Sequence, residues 1–198
     1  MAGVRREPHP ILTINAQALA AQILEKLPSD QLAGLAGKWS YSQGELADFR
    51  DRKSLGLKEL ITLSLWKLAG VERRAVQLVR RNPDSVVEAV TRAAFIASTG
   101  VDQGPRRAAA ILNALDGVNT AVASTALTSW DPDNFGIIDR RAFRALHALT
   151  GSAAFELGNR ALFPESWYQS YVELLRCVKQ GTQLTCRDVD KALWVLGK

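Results

Sequence analysis

Apolar residues recur at intervals of three and four along most of this chain, and no stretch alternates apolar with polar over the length of a convincing strand. The spacing predicts an all-α protein of about nine or ten helices. Leu12, Ala16, Leu19, Ala20, Ile23 and Leu27 make the first run, from Ile11 to Leu27, and Pro28 closes it. Residues 28–41, with Pro28, Gly34 and Gly37, read as mostly loop with room for one short turn. Ser42-Gln43-Gly44-Glu45 has the spacing of a capping box, which predicts a helix to about Lys53. A strongly amphipathic helix follows from Leu57 to Ala69, then a basic-sided one over 71–81. Asn82-Pro83 and Gly104-Pro105 each read as a helix start, the first running to about Ala97. Further helices are expected from Thr120 to about Thr128, from Asp139 to about Leu149, from Pro164 to about Lys179, and from the Thr185-to-Asp188 capping box to Leu196. Residues 1–10, with Arg5, Arg6 and His9, read as a loose arm.

A chain of 198 residues can bury a sizeable core, as one domain or as two small lobes sharing a cleft. Its 47% apolar and 23% charged residues are ordinary for a soluble globular protein. The net charge of +5 suits a polyanionic partner. Cys177 and Cys186 have no CxxC spacing and no nearby His, so neither a zinc site nor a four-cysteine cluster is expected, and both read as free thiols in a reducing compartment. The N-terminus has no signal-like apolar run, and no stretch approaches membrane-spanning length. The expectation is a cytoplasmic protein without metal or other cofactor and without a membrane partner.

Candidate chemistry concentrates between Arg106 and Arg144. A helix leads into the turn Leu115-Asp116-Gly117-Val118-Asn119, and a second helix leaves it at Thr120. Gly117 supplies a positive φ, and Asn119 is the non-glycine residue that best tolerates one. Amides of such a turn, with the start of the second helix, make an anion site suited to a phosphate. Asp139, a lone carboxylate after Ile137-Ile138, stands twenty positions beyond Asn119 and is followed by Arg140, Arg141 and Arg144. As a helix N-cap Asp139 needs no catalysis to explain it.

The segments Leu115 to Asn119 (LDGVN) and Ile137 to Arg144 (IIDRRAFR) together resemble the helix–hairpin–helix DNA glycosylases. In that family the hairpin reads roughly L-P-G-V-G, and the catalytic Asp follows at this distance in a similar setting. The resemblance implies a two-lobed helical fold with the active cleft between lobes. One lobe would be residues 54–138, carrying the helix–hairpin–helix at 106–128; the other would join 1–53 to 139–198. It implies that Asp139 is catalytic. Gly117, Asn119 and Thr120 of the hairpin, with Arg140, Arg141 and Arg144, would hold the DNA backbone. The partner would be double-stranded DNA containing a modified base, bound by a monomer. Bifunctional members carry a Lys where this chain has Ala121, so the resemblance implies a monofunctional enzyme that uses water. Asp116, in place of proline, puts a negative charge near the phosphate and predicts a weaker grip there.

Such enzymes swing the target nucleotide out of the duplex and hold its base between side chains. Trp66, Asp190 and Trp194 are the candidates for that pocket. Asp190 and Trp194 lie four apart on one helical face, an arrangement similar to the C-terminal helix of archaeal 8-oxoguanine glycosylases. Lys67, beside Trp66, reads as a helix-surface lysine and is the one to watch for lyase activity; His9 and His147 read as non-catalytic. The implied substrate is an oxidised purine, as in DNA repair, or a hypermodified phage base such as glucosylated hydroxymethylcytosine, as in anti-phage defence. The alternative is a non-catalytic helix–hairpin–helix DNA-binding module.

Overall fold

The computed structural model describes residues 14–69, 73–100, 103–157 and 162–198. Among the described residues it holds α-helices and no strand: α1 (Ala16–Lys26), α2 (Ser29–Gly37), α3 (Leu57–Lys67), α4 (Arg74–Val79), α5 (Asp84–Ser98), α6 (Gly104–Leu112), α7 (Thr120–Trp130), α8 (Arg140–Thr150), α9 (Glu165–Gln180) and α10 (Cys186–Leu196). A single 3-10 turn, Ala153–Phe155, follows α8. None of these helices is long and apolar enough to cross a membrane. The arm at residues 1–10 and the start of the first apolar run lie outside the described residues, as do residues 71 and 72 of the basic helix.

Most boundaries follow from local chemistry. Asn15 caps α1 by accepting from the Ala18 amide at 3.0 Å, and Thr185 caps α10 with Asp188 closing a capping box. Between α6 and α7 the chain turns through Gly117 at φ +78°. A Cβ there would run into the backbone of α4 at Ala75 and Val79, so the turn needs glycine for its conformation and for its packing.

Residues 28–53 correct two expectations. The stretch read as loop contains α2, and the helix expected from Ser42 to about Lys53 does not form. Gly34 and Gly37 each weaken a helix by about 1 kcal/mol. Both sit where an added side chain would meet nothing, while Leu32 on the opposite side is fully buried and α2 packs along α10. Burying one leucine contributes about 1.5–3 kcal/mol, enough to offset the glycines. Downstream, the backbone finds partners outside a helix. Gly44 O accepts from the Trp66 indole at 3.0 Å, Ala47 O from Ser129 Oγ at 2.8 Å, and Phe49 N–H donates to Ser129 O at 2.8 Å. Glu45 pairs with Lys191 at 3.2 Å instead of closing the capping box.

A continuous apolar core links the helices. Within it α9 packs on α1 and α6, α10 on α2, α8 and α9, α3 on α7 and α5, and α5 on α6. Phe143 anchors α8, its ring meeting Phe155, Phe163, Trp167 and Tyr171 at centroid distances from 5.1 to 5.9 Å. That anchoring fixes the helix whose first residue follows Asp139.

Candidate functional site

The link between α7 and α8 carries no helix or strand, so its amides need partners elsewhere. Ile137 N–H donates to Asp190 Oδ2 on α10 and Ile138 N–H to Ser124 Oγ on α7, both at 3.2 Å. Gly136 lies so close to Leu175 and Asp190 that a Cβ would crowd both. Three helices therefore hold the residues that lead into Asp139.

Asp139 is the N-cap of α8, with Oδ1 accepting from Arg141 N–H at 2.9 Å. Its Oδ2 accepts from Lys67 Nζ at 3.0 Å, and the same ammonium donates to the Ile138 carbonyl at 3.3 Å. This corrects the reading of Lys67 as a surface residue: its side chain is 11% exposed and that of Asp139 28%. Lys67 ends α3, which packs on α7, and that packing turns the lysine toward the link. Burial pushes the Asp139 carboxyl up, but the Lys67 ammonium, the Arg141 amide and the Arg141 guanidinium outweigh it. The net effect holds its pKa below the ordinary carboxylate value. The group is an anion at neutral pH.

Beside this pair, Trp39, Tyr41, Trp66 and Trp194 form an aromatic cluster. Tyr41 and Trp66 have ring centroids 4.7 Å apart; Trp39 lies 6.4 Å from Trp66 and 6.2 Å from Trp194. These rings, with Lys67, Ile137, Asp139, Arg187 and Asp190, line a hollow of about 20 Å³. That is room for about one water molecule. Arg141 lies with Cζ 4.3 Å over the Trp194 ring, a cation–π contact at the edge of the cluster.

Trp66, Asp190 and Trp194, expected as base-pocket residues, thus come together with Asp139 around one hollow. Asp190 is held on both oxygens there. Oδ1 accepts from Tyr171 Oη at 2.6 Å, and Oδ2 accepts from Ile137 N–H and forms an ion pair with Arg187. Burial and the neighbouring Asp190 raise the Tyr171 pKa well above its ordinary value, so Tyr171 is a neutral donor.

The expected DNA-binding residues separate into three places. Arg141 joins the aromatic cluster, while Arg140 and Arg144 are exposed and line a groove with His147, Phe155, Glu156 and Leu157. In the hairpin, Gly117 packs on α4, Asn119 caps α7 by accepting from Val122 N–H at 3.1 Å, and Thr120 is buried with Oγ1 accepting from Asn113. Asp116 N–H and Val118 N–H bond to Asn82 Oδ1 and Leu115 O.

Trp39, Tyr41 and Arg187 are site residues that sequence reasoning missed. Their signals were present: two aromatics within three residues after a glycine-containing stretch, and an Arg three before Asp190 on one helical face. Cys177 and Cys186 are free, and no group of metal-ligating side chains gathers among the described residues. Comparison with protein-family models, with curated proteins and with solved structures finds no match to this chain.

Proposed function

We propose that this protein is a monofunctional DNA N-glycosylase of the helix–hairpin–helix kind. It would extrude a modified nucleotide and hydrolyse its N-glycosidic bond, leaving an abasic site. One observation carries the reading: an ionised, partly buried Asp139 is held against Lys67 on the wall of a hollow lined with indoles. Breaking the bond from C1′ to the base builds positive charge on the sugar, and a fixed anion beside it lowers that barrier. Asp139 has the capacity to accept a proton from the incoming water as its oxygen bonds to C1′, while the electron pair of the broken bond leaves with the base. The turn between α6 and α7 has its Asp116 and Val118 amides bonded within the protein, so its contribution is through α7, whose Ser124 holds the link ending at Asp139. In this reading α3 to α7 form one lobe, the remaining helices the other, and double-stranded DNA is the partner of a monomer.

The size of the hollow bears on the reaction. A volume of about 20 Å³ admits no nucleobase without movement of a ring. Trp39 and Trp66 lie 6.4 Å apart and 26° from parallel, at the upper end of direct ring contact, so a modest separation would admit a flat group between them. The small size of the hollow also favours a second reading, a non-catalytic DNA-binding module in which Asp139 serves as a helix cap. Incubation with lesion-bearing duplexes, followed by alkali, separates the two. The enzyme yields strand breaks that disappear in Asp139→Asn; the module binds the same duplexes and yields none.

A further inference from the structure

Arg187 is an anomaly of the hollow's wall. Its side chain is 9% exposed, and one end of its guanidinium, Nη1, is engaged by Asp190. The other donors, Nε and Nη2, are shut off from solvent and have no hydrogen-bond partner. Leaving a donor unsatisfied in the interior costs about 1–3 kcal/mol. Nε–H and one Nη2–H point in parallel from the same side of the planar group, as a fork spaced for two neighbouring acceptors. Its Cζ lies 5.0 Å from the Trp39 ring and 5.8 Å from the Trp66 ring, so the guanidinium stands beside the aromatics that line the hollow with it.

We infer that Arg187 is the specificity-determining residue of this site, and that the base it accepts presents two adjacent hydrogen-bond acceptors on one edge. The assignment rests on the proposed glycosylase reading for the identity of the ligand as a flipped base. Two base edges satisfy the fork, O2 with N3 of a cytosine and O6 with N7 of a guanine. Adenine places a donor beside N7, and 8-oxoguanine carries a hydrogen on N7 between O6 and O8, so each would set a donor against the fork. A phosphate would also satisfy two donors, but the hollow's walls are largely aromatic, Trp39, Tyr41, Trp66 and Trp194, which suit a flat base. Asp190 is held in place on both oxygens, by Tyr171 on Oδ1 and by Ile137 and Arg187 on Oδ2. It positions Arg187. Within the substrate range implied by the resemblance, the site therefore favours a modified cytosine over an oxidised purine.

The test is competitive binding, by fluorescence anisotropy at fixed salt, of short duplexes carrying one central mismatch. Four otherwise identical duplexes place cytosine, 3-deazacytosine, guanine or 7-deazaguanine at the mismatch; each deaza base replaces one acceptor with C–H. Wild type should bind at least one parent base about tenfold better than its deaza partner, the range expected for one paired base contact. The pair that responds identifies the edge. Arg187→Lys keeps the charge and loses the fork, and should bind each pair alike within about twofold. Equal binding of both pairs by wild type, or discrimination that survives in Arg187→Lys, overturns the assignment. Should Arg187→Lys prove unfolded by circular dichroism, the wild-type comparison decides alone. Base release measured on the same protein keeps the two claims apart. Discrimination without release sinks the reaction and keeps Arg187; Asp139-dependent release without discrimination does the reverse.

Discussion

At the scale of single residues, Asp139 carries two loads, capping α8 through Oδ1 and pairing with Lys67 through Oδ2. Its pKa is depressed in the folded protein, so by linkage it contributes stability that is present above the unfolded carboxylate value, near about 3.9, and lost as pH falls through the folded one. In the proposed glycosylase reaction, base release requires the same ionised form. Removing the ammonium in Lys67→Met leaves burial opposed only by Arg141, so the carboxyl rises. The acid limb of the pH–rate profile should then move to higher pH, with a rate at neutral pH lower by about tenfold or more. An acid limb that stays in place would show that Lys67 does not tune Asp139. The amine also poses a chemical question, because it stands 3.0 Å from the carboxylate assigned to the reaction. For a hydrolytic enzyme, borohydride added during turnover should trap no covalent protein–DNA adduct. An adduct that vanishes in Lys67→Met would replace water by Lys67 as the nucleophile.

At the scale of elements, the turn between α6 and α7 and the link into α8 are the parts most exposed to small changes. Gly117→Ala asks an L residue to hold φ +78° and drives its Cβ into the backbone of α4. The expected loss is about 2 kcal/mol or more, seen in urea unfolding as a lower midpoint with unchanged slope. Ser124→Ala removes the acceptor of the buried Ile138 amide and should lower stability by about 1–3 kcal/mol. If Ser124 also places Asp139, base release falls further than the lost stability accounts for; full activity in the folded variant would contradict that. These elements differ in how far the sequence declared them. Asn119, expected to tolerate a positive φ, instead has φ −117° and caps α7 through its side chain. Gly117 acts through its own backbone and Asp139 caps the helix that directly follows it, so both were legible locally. Residues 28–53 were not, because partners far along the chain decided them: α10 drew residues 29–37 into a helix, and Trp66 and Ser129 engaged the backbone of 44–49. For the same reason Lys67, Trp39, Tyr41 and Arg187 reach the site only through packing, although Arg187 and Asp190 at i and i+3 were neighbours in any helix.

At the scale of the whole molecule, a net charge of +5 and the exposed Arg140 and Arg144 suit association with a polyanion. Affinity for duplex DNA should fall linearly with salt on a logarithmic plot, and Arg140→Gln with Arg144→Gln together should reduce the slope by about one to two. A slope unchanged by the double substitution would place the DNA elsewhere on the surface. The glycosylase reading further requires that the narrow aromatic hollow widen to take a base and that Asp139 act within it. Mass spectrometry of bases released from damaged DNA and from DNA carrying modified cytosines, by wild type and by Asp139→Asn, tests this most directly. Asparagine keeps the helix cap and removes the charge. The account predicts one free modified base in the wild-type supernatant and a loss of about a hundredfold or more in the variant. Release that is equal in both proteins, or absent from every DNA with wild type, would contradict it.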